Sequence, residues 1–419
     1  MRVTALKLAN LRAIETGEFR FQAGFNLIVG VNGVGKTSML DALRVCLSAF
    51  AKQANKLRAA VESFTVDDIR VGADALSIEC GVQIGGSEHS YLIHKPRESS
   101  APQEKKAGMP REQVHDTPER ATFLGAAPRP MTSRVPEGRP LAVLFSTTRA
   151  MPSERAPGKN VAAGGIAAAF ADAFANRELR LGEFAAWMRV QEALKSERAS
   201  AGRVLAAFDD AVARFLPGYA RLRVDADERP RLLIDRGTTT VAVRQLSDGE
   251  RGTLALVLDL TRRLAQANPE MTDPAAEAEA VVLIDEIDLH LHPKWQRQIV
   301  RNLTAAFPRC QFIATTHSPQ VIGEVEHDRI QIIANGQVYS PTHSFGVDSS
   351  RVLEEVMDTP SRDPDITKLH SEVNQAIGVH DIDRARDLLA TLTLRLELGE
   401  NDPDVTRFRI LIDFVEGND

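Results

Sequence analysis

Residues 30–37 read GVNGVGKT, an unbroken G-x-x-x-x-G-K-[ST] loop that follows the apolar run FNLIV and opens a helix-forming stretch. In such a loop the glycines let successive backbone N–H groups turn inward around a β-phosphate, and the helix N-terminus adds its dipole. Lys36 then reaches the β- and γ-phosphates, and the Thr37 hydroxyl becomes a ligand for Mg²⁺. The expectation is a nucleotide site contacted by Asn32, Gly33, Gly35, Lys36, Thr37 and Ser38.

Further along, residues 281–286 read VVLIDE, an apolar strand ending in two acids. In an open α/β sheet the carboxyl ends of the strands face the ligand, so Asp285 is expected to hold the metal together with Thr37. A P-loop neutralises a γ-phosphate but orients no nucleophile, which makes Glu286 the candidate general base for an attacking water. The stretch ATTHSP ends a second apolar strand at His317, a position from which an imidazole can reach a γ-phosphate or its water. Residues 246–251, LSDGER, place Ser247, Gly249 and Glu250 at another helix start, with free N–H groups and a hydroxyl. One triphosphate has no use for two such ends in one subunit.

The elements that must position these residues alternate in type. Strand-like alternation dominates the first ninety-five residues, interrupted by one helical run after the P-loop. Residues 96–140 are crowded with Pro, Ser and charge and read as a polar surface insertion. A mostly helical insertion is expected over 141–219, where Phe170, Phe174, Leu181, Phe184, Trp187, Leu194, Leu205, Phe208 and Phe215 form an apolar stripe. A hairpin around a DxDE turn, the signature and then strand–helix alternation fill 220–345, with helices over Thr253–Gln266 and Pro293–Ala306. This order predicts an α/β fold with a mixed or parallel sheet. A helical extension is expected over 346–419, where Ile382, Ala385, Leu388, Leu389 and Leu392 mark either an interaction surface or packing on the chain's own ATPase core.

Composition bounds the class and neither requires nor excludes DNA as a ligand. The 419 residues are 43% hydrophobic and carry 51 basic against 57 acidic side chains, a net charge of −6, so no whole-chain footprint for nucleic acid is present. Cys46, Cys80 and Cys310 are isolated, which argues against a disulfide framework or a zinc site. Without a signal-type h-region or a long apolar run, a cytoplasmic protein with no membrane partner is expected.

In this order GVNGVGKT, LSDGER, VVLIDE, IDLHLHP and TTHSP resemble the Walker A, signature, Walker B, D-loop and switch-histidine motifs of ABC-type ATPases, in the branch holding RecF and the SMC proteins. The resemblance covers roughly residues 1–45 and 220–345 and departs from the LSGGQ pattern at Asp248 and Glu250. It implies a P-loop ABC-type ATPase head using ATP and Mg²⁺, a homodimer or higher homo-oligomer, and a signature loop closing on the partner's nucleotide. It also implies a dimer contact at Asp288, and by similarity of Asn10-Leu11-Arg12 to an early arginine motif, a phosphate contact at Arg12. Gln83 falls near the zone of the family's Q-loop glutamine but reads equally as a strand-surface residue.

The stretches LIDEIDLHLHPKWQRQIV and CQFIATTHSPQVI and the tail from FGVDSSRV are similar to the ATPase subunit of bacterial antiphage systems of the Septu kind, including those attached to retrons. That likeness implies regulation of a separate HNH-type nuclease subunit and leaves DNA or a retron nucleic acid open as a ligand. The competing expectation is a RecF-like repair or recombination ATPase that clamps DNA directly. Asp381-Ile382-Asp383 is a DxD by letter, but its helical pattern argues against a nuclease metal site here.

Overall fold

The computed structural model describes residues 1–55, 63–97, 141–150, 166–175, 178–225, 231–357, 359–396 and 399–416. The polar insertion expected over 96–140 lies outside the described residues from 98 onward, as does the turn of the expected hairpin at 226–230. Two compact units divide the chain, Met1–Val347 and Asp348–Asp419.

In the first unit the order is β1 (Arg2–Leu11), β2 (Ile14–Arg20), β3 (Phe25–Val29), α1 (Lys36–Asn55), β4 (Ala75–Ile84), β5 (Ser87–Pro96) and β6 (Leu141–Phe145). Then come α2 (Leu181–Leu194), α3 (Ala199–Phe215), β7 (Tyr219–Val224), β8 (Leu232–Arg236), β9 (Thr239–Ala242) and α4 (Asp248–Ala267). The unit closes with β10 (Ala280–Ile284), α5 (Pro293–Ala306), β11 (Gln311–Thr316), β12 (Ile330–Ala334) and β13 (Gln337–Tyr339).

The strands form a six-stranded sheet in the order β13-β12-β3-β11-β10-β6, an antiparallel sheet β2-β1-β4-β5 and a small sheet β7-β8-β9. Within the six-stranded sheet β12, β3, β11, β10 and β6 run parallel and β13 pairs antiparallel at its edge. Every residue of β3, β10 and β11 is buried, which is why these segments read as unbroken apolar runs rather than alternating ones. Helix α1 contributes Met39, Leu43, Cys46 and Phe50 to one core with Leu6, Phe19 and Ile78 of the antiparallel sheet and Ile28, Leu283 and Ile313 of the parallel one. The P-loop helix is thereby held from both sheets, and its N-terminus stands at the carboxyl ends of the parallel strands.

The apolar stripe of 165–215 is divided among the short helix Ile166–Phe170, α2 and α3. Phe184 and Phe208 meet edge to face, with ring centroids 4.8 Å apart, in a second core that includes Ile234 of β8 and Leu254 and Leu258 of α4. Trp295 packs against this cluster. The signature helix is therefore braced by the material between P-loop and signature. It begins at Asp248, five residues before the Thr253 start expected from its apolar period, because Ser247 caps it.

The second unit contains α6 (Pro364–Gly378), α7 (Ile382–Arg395) and α8 (Pro403–Glu416). Ala385, Leu389 and Leu392 are buried with Val373, Val405, Phe408 and Ile412, and Ile382 and Leu388 pack on the same cluster. Of the two expectations for that stripe, packing is the one found, and the core that the apolar face of α7 joins is the bundle's own. Asp381 caps α7 by accepting from the Arg384 N–H at 3.2 Å, and among the described residues no three His, Cys, Asp or Glu side chains gather as a metal site. Phe408 is 1% exposed, so Phe408→Ala is expected to destabilise this bundle by about 3–5 kcal/mol. Native-state hydrogen exchange checks it: amides of α6 to α8 should lose protection while those of β10 keep theirs. Equal loss in both would mean that the bundle does not unfold as its own unit.

Candidate functional site: a P-loop cleft

Gly33 and Gly35 adopt φ of 83° and 107°, a region that L side chains rarely occupy, and a Cβ on Gly35 would stand 2.6 Å from Ile14. The loop can wrap a phosphate only with glycine there. Asn32, Gly33, Gly35, Lys36, Thr37 and Ser38 line one open cleft of about 190 Å³ together with Ala13, Asp285, Glu286 and His317. Four separate segments of sequence thus converge at the carboxyl ends of β3, β10 and β11.

Lys36 Nζ donates to the carbonyls of Gly30 and Val31 at 2.8 and 2.9 Å. Burial lowers its pKa, although Asp285, Glu286 and Asp288 pull the other way. Across the cleft, Asp285 emerges from β10 and accepts hydrogen bonds from Thr37 Oγ1 at 3.2 Å and from Thr315 Oγ1 at 2.7 Å. The Thr315 hydroxyl also accepts the Glu286 N–H at 2.7 Å, so one buried hydroxyl aligns both acids. Glu286 itself sits at φ 49°, a left-handed backbone that is uncommon for a residue of its size.

His317 follows β11 and is half-buried. Burial, and next the charge of Lys36, lower its pKa below the ordinary histidine value, against the opposing pull of Asp288, Glu286 and Asp285. Both effects favour the uncharged imidazole over the imidazolium. Asp288 accepts from Thr316 Oγ1 at 2.5 Å and from the His317 N–H at 3.4 Å, which ties the loop after β10 to the end of β11.

Two expected residues stand outside the cleft lining. Arg12 has φ 52° and is held by Asp41 at 2.7 Å and Asp68 at 2.9 Å, with Ser38 Oγ at 3.5 Å. Burial lowers its pKa, but the bonds to the two carboxylates outweigh this and raise it. Gln83 accepts from Arg2 at 2.5 Å and lines a different depression with Met1 and Gln311.

Ser247, Gly249 and Glu250 do not line this cleft either. Ser247 caps α4, and Glu250 returns the contact by accepting the Ser247 N–H at 2.9 Å and its hydroxyl at 2.8 Å. Tyr219 also donates to Glu250, at 3.0 Å. Gly249 is buried, and a Cβ there would lie 2.2 Å from the His290 carbonyl oxygen. Glycine at this place is demanded by the chain's own loop after β10, whatever else meets its N–H.

Sequence reasoning missed three groups: the hydroxyls of Thr315 and Thr316, and Arg149. The paired threonines before His317 were a readable signal. Arg149 was not, since it bonds to backbone carbonyls: its guanidinium donates to those of Ser146 at 3.0 Å, Glu286 at 2.5 Å and Asp285. Burial brings its pKa down to about 10, against the pull of Asp285, Asp288 and Glu286.

A P-loop on a parallel sheet, two acids ending the strand two places away, and a capped helix start outside the cleft make up a nucleotide-type site on an α/β fold. Residues 5–116 match the family described as "AAA domain", and residues 175–323 match "AAA domain, putative AbiEii toxin, Type IV TA system". The chain is 36% identical over 229 residues to "Retron Ec83 probable ATPase" of Escherichia coli, covering 54% of this chain and 42% of that protein. It is 46% identical over 77 residues to "Septu protein PtuA" of Bacillus mycoides, covering 18% of this chain and 10% of that one. The matched segments thus span less than half the length of these curated relatives. Among solved structures, the SMC head bound to the C-winged helix domain of ScpA aligns over 81% of this chain and 97% of that chain, at 18% identity and a TM-score of 0.45. Over these segments the chain is similar to the retron ATPases and to PtuA. Among the described residues no helix is long and apolar enough to cross a membrane.

Proposed function

We propose that two copies of this chain close around ATP and that their ATP-bound state regulates a separate HNH-type nuclease in defence against phage. The observation that carries the dimer is the division of the site. Lys36, Thr37, Asp285, Glu286 and His317 share one cleft, while Ser247 and Gly249 belong to a helix start outside it. A second subunit supplies to that cleft what its own chain does not.

Within each cleft Lys36 binds the β- and γ-phosphates, Glu286 takes the proton of the attacking water, and neutral His317 donates toward the γ-phosphate. Thr37 and Asp285 fit Mg²⁺, because a hydroxyl and a single carboxylate 3.2 Å apart are hard oxygen donors and that ion fills its other positions with water and phosphate oxygens. When bound, Mg²⁺ neutralises charge on the β- and γ-oxygens. Ser247 and the Gly249 N–H cap the γ-phosphate held by the partner, and Asp288 lies in the loop that meets it. Likeness to retron and Septu ATPases supports the defence role.

The test is co-expression with an HNH nuclease encoded beside this gene. The pair is expected to co-purify, with nuclease activity that differs between ATP and no nucleotide. Failure to co-purify, together with ATP-dependent retention of naked duplex DNA by this chain alone, would favour a DNA-clamping repair ATPase instead.

A further inference from the structure

Arg149 follows β6, the strand paired in parallel with β10, and so arrives at the same sheet edge as Asp285 and Glu286. It is 6% exposed, and among the described residues no carboxylate lies within ion-pair distance of it. A buried cation is costly unless its donors are met. Here they are met by backbone oxygens: Nη1 donates to Ser146 at 3.0 Å, to Phe145 at 3.4 Å and to the Asp285 carbonyl, and Nη2 donates to the Glu286 carbonyl at 2.5 Å. Two consecutive carbonyls, those of the two acids, are thus gripped by one planar fork, a geometry that lysine cannot reproduce. On the other side of the same peptide the Glu286 N–H is held by Thr315. Arg149 also lines a small cavity with Asp248 and Gly252 of α4 and with Ile287, Leu289 and Leu291 of the loop after β10.

We infer that Arg149 is a positioning residue for hydrolysis: its guanidinium fixes the left-handed backbone at Glu286 from which the carboxylate faces the cleft. The inference rests on the reading of Glu286 as the base. Arg149 is not among the residues lining the nucleotide cleft and reaches it only through the backbone carbonyls of Asp285 and Glu286, so its loss acts on turnover more than on ATP affinity. A displacement of the base by about 1 Å can cost on the order of 10²-fold in rate.

The experiment is a double-mutant cycle on the full chain, with phosphate release at saturating ATP and equilibrium ATP binding read in parallel. Arg149→Met is expected to lower turnover by about 10- to 100-fold with ATP affinity changed less than about 3-fold. Arg149→Lys is expected to fall between Met and wild type. In the Glu286→Gln background, Arg149→Met should slow the residual rate no further, because there is no base left to misplace. Additive losses in the double variant, or a parallel loss of affinity and turnover, would overturn the inference. If Arg149→Met does not give folded protein, the cycle with Arg149→Lys decides by the same criterion. A Glu286→Gln variant with wild-type turnover would instead remove the base reading on which the inference stands.

Discussion

Glu286→Gln is expected to lower phosphate release at saturating ATP by about 10²-fold or more while ATP binding persists, the scale set by losing a general base. Glutamine keeps the size of the side chain and can still orient a water, but it cannot accept the proton. The substitution leaves the anchors of this peptide in place, since Thr315 holds the Glu286 N–H and Arg149 its carbonyl, and neither bond involves the carboxylate. Lys36 and Thr37 are likewise untouched, so triphosphate affinity should survive. A variant that binds ATP without hydrolysing it should accumulate as a closed dimer, visible as ATP-dependent dimerisation in sedimentation. Turnover equal to wild type would show that another group activates the water.

Mixing two inactive variants is expected to restore activity that neither has alone. Lys36→Ala removes the cation that neutralises the triphosphate and should abolish binding in its own cleft. Ser247→Arg blocks the signature turn. Ser247 is exposed, and losing its cap costs α4 about 1 kcal/mol, which the buried face of that helix can absorb. Gly249 would be a poor choice for this purpose, because a Cβ there collides with His290 of its own chain. In a mixed dimer the Ser247→Arg chain supplies an intact P-loop cleft and the Lys36→Ala chain an intact signature, while the other site carries both defects. One sound site of two should return partial hydrolysis. If the sites are strictly coupled, ATP-dependent association returns instead. A mixture showing neither, beside a wild type showing both, would leave LSDGER as a helix cap serving its own subunit.

Much of this site was legible because its decisive patterns are local. GVNGVGKT names its own chemistry within eight residues, since glycine, lysine and threonine at that spacing are selected by one phosphate and one metal position. The apolar runs of β3, β10 and β11 announced strands buried on both faces for the same reason. The start of α4 was also written in the text, as the S-x-x-E of Ser247 and Glu250, yet the apolar period that begins later drew the boundary to Thr253.

Residue type and short spacing suffice to mark which segments can meet phosphate and which acids end a strand. Which of them meet depends on how the strands are ordered once the chain is folded. Thr37 and Asp285 lie 248 positions apart, and only the strand order of the parallel sheet brings their oxygens to 3.2 Å. Folding also sets the signature away from its own cleft, and covers the apolar face of α7 with its neighbours in the bundle. Periodicity shows that a face is apolar but carries no information about what covers it. Arg149 is the limiting case: its partners are carbonyl oxygens, which every residue possesses, so no pattern of side chains could have pointed to it before the chain was folded.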